Sequence, residues 1–188
     1  MNIEPENIDF SCYFKQYGFN KNSNFVAFYG NKGQDIFGNF YELSKFIKYN
    51  DISANNIEAL YHSCKFIDPG IKIKFNKLSG LQAFYLSRKY KSHIRTDWDD
   101  IKDTIMLDLL RLKFSLTLPL TVLLSTGSKY LVEHNPVKNR DLYWSDNKDG
   151  SGKNKLGILL MKVRGENFGT GIVEKPTDYL DWIKTKNN

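Results

Sequence analysis

Glu58, His62 and Lys65 lie four and three residues apart in one short segment. On an α-helix that spacing turns all three side chains the same way, with the carboxylate and the amine about 10 Å apart along the axis. A carboxylate, an imidazole and an amine on one face can serve as acid, base or nucleophile. The same three groups also suit a solvated helix face held by a Glu-to-His contact.

A second group occupies the loop Tyr143-Trp144-Ser145-Asp146, followed by Gly150-Ser151-Gly152-Lys153-Asn154. A tryptophan inside a long hydrophilic loop needs a flat surface to cover, either a ligand ring or the protein body. Gly150 and Gly152 allow backbone N–H groups to approach a ligand closely, and the helix that follows offers its positive N-terminus to an anion. A ligand cradle and an ordinary turn both fit. The segment is not a phosphate loop of the GxxxxGK[ST] type, because Asn154 follows Lys153. His93 and His134 have no metal-ligand spacing, and the two cysteines, Cys12 and Cys64, are far apart, as expected of reduced thiols. Nothing in the sequence calls for a metal or a bound cofactor.

These groups need elements to position them. Residues 1–24 are polar and without period, an N-terminal extension. Phe25 to Tyr29 is β-branched and aromatic and runs into Gly30-Asn31-Lys32-Gly33, a strand entering a turn. A further extended piece is expected over Phe37 to Phe46. Asn55 or Asn56 caps a helix through Phe66, which Asp68-Pro69-Gly70 ends. Ile71 to Leu78 alternates like a strand but is short enough to be a helix start, and a helix follows over Ser79 to Arg88. The clearest helix opens at Thr96-Asp97, with Ile101, Ile105, Leu109, Leu112 and Leu116 as its core stripe. Pro119 should stop it and open another over Leu118 to Leu124, closed by Thr126-Gly127. Tyr130 to Glu133 reads as a strand, Asn135 to Lys153 as a long loop and Leu156 to Arg164 as a compact helix. A last helical turn, Asp178 to Ile183, should dock Tyr179, Trp182 and Ile183 on the body. The fold class is mainly α (α+β with a few short strands) in one compact domain.

With 41% hydrophobic and 14% aromatic residues the 188-residue chain has material for a core, which argues against global disorder. The net charge of +6 permits an anionic ligand. The lysines look scattered in sequence, as on a solubilising surface, so the charge by itself demonstrates no ligand. The N-terminus has no basic and apolar signal pattern, and the most apolar stretch, Phe114 to Leu124, is too short to span a bilayer. A soluble, cytoplasmic protein is expected.

Read in order, several fragments resemble the NADAR (YbiA-like) family. They are Phe28-Tyr29-Gly30, Tyr41-Glu42-Leu43-Ser44-Lys45-Phe46, Glu58 to Phe66, Ser87-Arg88, Trp98 and Met106. They continue with Arg111-Leu112-Lys113-Phe114, Thr126-Gly127, Leu131-Val132-Glu133, Tyr143 to Asp146 and Gly152 to Arg164. Coverage is about residues 25–165, which leaves 1–24 and 166–188 as terminal extensions, the second docking on the domain. The closing stretch from Trp144 to Arg164 is the most specific in order and spacing.

The resemblance implies a compact helical fold and hydrolysis of N-glycosidic bonds. The substrates it implies are an ADP-ribosylated guanine nucleoside, with nucleic acid as a possible carrier, or a phosphoribosylamino metabolite of the riboflavin-intermediate type. By position it implies Glu58, Lys65 and Asp146 as catalytic residues. Trp144, Asn154, Lys153, Gly152, Ser44, Arg88, Tyr29 and His62 are implied in substrate binding. Glu58 or Asp146 would stabilise positive charge on the sugar. Lys65 would either attack the opened sugar as a free amine, forming a Schiff base, or stay charged and hold a phosphate. His62 stands where many members have Gln, and Lys45 where the pattern has Asn. Those departures favour a second reading, a catalytically silent ADP-ribose or nucleotide-binding module.

Overall fold

The computed structural model describes residues 22–29 and 35–186; residues 1–21 of the expected N-terminal arm and the expected turn at Gly30 to Gly33 lie outside them. Strand β1 (Phe25–Phe28) pairs in parallel with β4 (Tyr130–Glu133), Phe25 opposite Tyr130 and Phe28 opposite Glu133. A parallel pair requires a crossover. Here the crossover carries a short hairpin, β2 (Ile47–Tyr49) and β3 (Ile52–Ala54), and helices α1 (Ile57–Ser63), α2 (Pro69–Lys72), α3 (Gly80–Lys89), α4 (Trp98–Lys113) and α5 (Thr117–Leu124). After β4 and a long loop come α6 (Lys155–Phe168) and α7 (Thr177–Thr185). The fold is mainly α, with two small two-stranded sheets. Both strands of the parallel pair are buried almost throughout, as expected where helices cover a sheet on both faces.

Local chemistry sets most boundaries. Asn56 caps α1, its Oδ1 accepting from the Ala59 N–H at 2.8 Å, and Ser79 forms a capping box with Gln82 at the start of α3. All seven residues of α1 are buried, so its polar side chains lie inside the protein. Glycine lets α3 approach them: a Cβ at Gly80 would stand 2.7 Å from Phe40 Cδ1 and 3.3 Å from Glu58 Cβ.

Several expectations need correction. No strand forms over Phe37 to Phe46; this segment is turns and irregular backbone, and pairing begins only at Ile47. Helix α1 ends at Ser63, so Lys65 sits in the following turn, where its carbonyl accepts from the Arg95 N–H at 2.8 Å. Asp68-Pro69-Gly70 starts a helix instead of ending one, because the Asp68 carboxylate accepts from the Gly70 and Ile71 N–H groups. On α4 the buried face runs through Met106, Leu109, Leu110 and Lys113, rotated from the expected stripe, of which only Leu109 is fully buried among its helical members. That helix stops at Lys113, well before Pro119, which lies buried within α5. Helix α6 continues past Arg164 to Phe168, where Gly169 takes a left-handed φ of 74°. The C-terminal helix packs as expected, with Tyr179 and Ile183 buried. No helix among the described residues is long and apolar enough to cross a membrane.

Candidate active site

One cavity of about 280 Å³ gathers the chemistry-bearing residues of α1, α3, β4 and the two loops that flank the parallel strands. Glu58 and His62 enter from α1, Lys65 from the turn after it, Phe84 and Arg88 from α3, and Met106 from α4. Tyr29 follows β1, Asn39 and Phe40 come from the segment after it, Glu133 ends β4, and Asn135, Arg140, Asp141 and Trp144 belong to the long loop. Three carboxyl groups and three cationic groups thus share one wall.

Burial shapes each of them. Glu58 Oε1 and His62 Nε2 are 2.8 Å apart, and both residues are less than a tenth exposed. Lys65 Nζ lies over the Tyr61 and Trp98 rings, 5.5 and 5.6 Å from their centroids, and makes no hydrogen bond or ion pair among the described residues. Burial pushes its amine down to about 8, against the pull of the Glu58 carboxylate. Glu133 moves the opposite way: burial, then the negative charges of Asp141, Glu58, Asp146 and Asp35, hold its carboxyl well above the usual range. Burial also raises the Tyr61 phenol. Trp144 stands edge-on to Tyr61, with centroids 5.6 Å apart at 87°, and is fixed by the Asp141 carboxylate, which accepts from the Tyr143 and Trp144 N–H groups. Among the described residues three buried polar atoms of this cavity, Asn39 Oδ1, His62 Nδ1 and Glu133 Oε2, have no hydrogen-bond partner; the others of this kind are on Arg164 and Thr170.

Of the residues expected at the site, Glu58, Lys65, His62, Trp144, Arg88 and Tyr29 line the cavity. The others do not. Asp146 is 1% exposed and bound on every side: it accepts from Tyr179 OH at 3.2 Å and from the Asn135 and Lys148 N–H groups, and lies 2.8 Å from His134 Nδ1. Asn154, in a left-handed conformation at the start of α6, accepts from the Glu133 N–H and donates to Tyr130 OH and the Leu131 carbonyl. Gly152 is required by the loop itself, since a Cβ there would run into the Ser145 carbonyl and stand 2.8 Å from Asp146 C. Lys153, Ser44 and Lys45 are exposed and outside the cavity wall. Asp146 is thus bound into the scaffold, and the carboxyl groups of the cavity are Glu58, Glu133 and Asp141. The sequence signal for Glu133 was weak, a charged residue closing an apolar strand. Among the described residues no group of three or more His, Cys, Asp or Glu is arranged to hold a metal.

A NADAR domain model matches residues 27–166. The chain belongs to the NADAR family. Two relatives in this family frame the comparison. N-glycosidase YbiA of Shigella sonnei is 32% identical over 69% of this chain and 81% of its own length. A riboflavin biosynthesis protein of Vibrio vulnificus is 38% identical over 68% of this chain, but the match spans only 34% of that longer protein. Among solved structures, the NMR structure of Escherichia coli YbiA superposes with a TM-score of 0.66 and 28% identity, over 82% of this chain and 90% of that one. The NADAR match ends inside α6, so α7, which contributes Tyr179 to the buried Asp146 network, lies beyond it.

Proposed function

We infer that the protein is an N-glycosidase that hydrolyses the ribose C1–N bond of an ADP-ribosylated guanine base or of a related phosphoribosylamino metabolite. The observation that carries this reading is two half-buried groups facing one cavity with Glu58 and Trp144: Lys65, its amine pushed down to about 8, and Glu133, its carboxyl held well above the usual range. Two titratable groups pushed in opposite directions provide a base or nucleophile and an acid at the same pH. The relatives named N-glycosidase YbiA support the same bond class.

Cleaving a ribose C1–N bond builds positive charge on the sugar while the departing nitrogen needs a proton. Glu58, oriented by His62, is the carboxylate for the sugar; Glu133 is the acid for the base; Trp144 is the flat wall for the ring. Lys65 adds a covalent route. Where the linking nitrogen carries a hydrogen, the ribose ring opens, with that proton passing to the ring oxygen, and C1 becomes an imine of the base. The Lys65 amine adds to C1, the C1–N bond to the base breaks, and two protons pass from Lys65 to the departing nitrogen. Water then releases the sugar aldehyde and restores the amine. With its pKa near 8, about a tenth of Lys65 is free amine at pH 7.

Two observations weigh toward catalysis over the binding-only reading. Lys45 lies outside the cavity wall, and His62 supports Glu58 instead of displacing it. A substrate panel separates the two. ADP-ribosylated guanosine, a phosphoribosylamino pyrimidine and NAD are incubated with the protein, and loss of the base is read by mass spectrometry. Release from an amino-linked substrate, absent in Glu58→Gln, is the expected result. Binding without release from any of them would leave a nucleotide-binding module.

A further inference from the structure

The positive charge that looks scattered along the chain is gathered in one place. Residues 65–95 carry six lysines and two arginines against one aspartate, net +7, whereas the whole chain carries +6. This segment folds as the Lys65 turn, α2, a 3₁₀ turn at Ile73–Phe75 and α3, and its Lys65 turn and α3 also line the cavity. Lys74, Lys77, Arg88, Lys89 and Lys91 are exposed, and among the described residues no carboxylate pairs with any of them. Exposed apolar side chains stand between the cations: Ile73 is 54%, Leu81 56% and Tyr85 60% exposed. A groove of about 500 Å³ runs through this face, lined by Lys74, Leu78, Gln82, Tyr85, Leu86 and Lys89 and by no carboxylate. Helix α3 is the ridge between groove and cavity. Gln82, Tyr85, Leu86 and Lys89 border the groove, while Phe84 and Arg88 border the cavity, the guanidinium carbon 4.3 Å from the Phe84 ring centroid.

Unpaired ammonium groups held together raise a local positive potential that a polyanion neutralises. Exposed aromatic rings among them supply stacking faces that every nucleobase can use. A bilayer also fits cations mixed with apolar groups, but it gives no role to Phe84 and Arg88, which α3 presents to the adjoining cavity. A flexible strand can instead cross the ridge, about one helix diameter (~10 Å), and deliver one unit to the cavity. We propose that this face binds single-stranded nucleic acid, with phosphates on Lys74 and Lys89, a base on Tyr85, and the adjoining nucleotide carried over α3 to Arg88. Delivery into the cavity rests on the N-glycosidase reading; binding to the face does not.

Fluorescence anisotropy of a labelled, mixed-sequence single-stranded oligonucleotide tests this. The full chain should bind with a log–log salt slope of about −1.4 or steeper, the value for two phosphates. The double variant K74E/K89E should lose about tenfold or more in affinity, and Tyr85→Ala about fivefold or more. Both substitutions are on exposed side chains outside the cavity, so base release from a mononucleoside-sized substrate should stay at the wild-type rate. Unchanged oligonucleotide affinity in K74E/K89E would overturn the proposal. So would binding to vesicles containing phosphatidylserine with no binding to the oligonucleotide, which would make the face a lipid contact. If the wild type releases no base from any N-glycoside yet K74E/K89E still abolishes oligonucleotide binding, the surface stands and the N-glycosidase reading falls.

Discussion

The cavity and the loop hub around Asp146 both bury charged groups against histidine, yet they spend them differently. Around Asp146 every contact is closed within the protein: His134, Tyr179 and two backbone N–H groups converge on one carboxylate, and Asn154 joins the start of α6 to β4 with three hydrogen bonds. In the cavity the Glu58–His62 contact is made, but among the described residues His62 Nδ1, Asn39 Oδ1 and Glu133 Oε2 have no hydrogen-bond partner, and Lys65 Nζ lies over aromatic rings without a hydrogen bond. Burying polar atoms without partners costs stability. A satisfied network stabilises a fold, whereas an unsatisfied one keeps its capacity for a ligand or a reacting atom. The difference separates scaffold from site more sharply than residue type does, since both regions are made of Asp, Glu, His and Asn.

That contrast is broken most directly by exchanging the expected effects of two substitutions. Glu58→Gln should lower the rate of base release by about 10²–10⁴-fold, while urea unfolding shifts by no more than about 1 kcal/mol, because the amide can still meet His62. Asp146→Ala should do the reverse. It strips partners from His134, Tyr179 OH and the Asn135 and Lys148 N–H groups at once, so a loss of about 3 kcal/mol is expected in urea unfolding. Residual activity should remain in whatever fraction stays folded. A stable Asp146→Ala protein without activity would move Asp146 from scaffold to catalyst.

The sequence is most specific in a stretch that contributes little to the cavity wall. Trp144 to Arg164 is the most specific stretch in order and spacing, and its tight pattern reflects packing: Gly152 against the Ser145 carbonyl, Asn154 against β4, Asp146 at the centre of the loop. Only Trp144 from that stretch reaches the cavity. The helix pair Glu58 and His62 was legible from spacing, because a period of 3.6 residues fixes a shared face once Asn56 caps the helix. Lys65 reached the site although α1 ends two residues before it, since the turn carries it to the same wall. Glu133, Asn39 and Arg140 were not legible as site residues. Their roles come from which loops meet at the end of the parallel pair, and a non-local pairing of residues about 105 apart leaves no local trace. The charge excess of residues 65–95 was legible as a stretch of sequence; what the fold adds is the groove that Lys74 and Lys89 share with Tyr85.

A smaller effect sharpens the cavity side of the comparison through pH. If Lys65 acts as a free amine, borohydride trapping of substrate on the protein should rise as pH rises from 7 to 8, by about fivefold, because deprotonation of a group near 8 supplies the nucleophile. If Glu133 is the acid, base release should in addition fall with rising pH as that carboxyl, held above the usual range by burial, gives up its proton. Lys65→Ala should give no trapped adduct at any pH. An adduct that survives in Lys65→Ala would place the covalent step elsewhere, and a trapping yield flat with pH would mean that Lys65 stays charged and holds an anion.

The smallest effect is expected at His62, and it tests what that histidine is for. Its Nε2 meets Glu58 Oε1 at 2.8 Å while its Nδ1 has no partner, so two roles are open to the ring. An orienting role needs only a donor facing Glu58, which a glutamine amide also supplies. A proton-carrying role needs an imidazole. His62→Gln should therefore lower base release by less than about tenfold, without changing the shape of the pH profile, whereas His62→Ala should lower it further by freeing the Glu58 carboxylate to rotate. A Gln variant as impaired as the Ala variant, with a limb of the pH profile missing, would make His62 a proton carrier and join it to Lys65 and Glu133 in the reacting set.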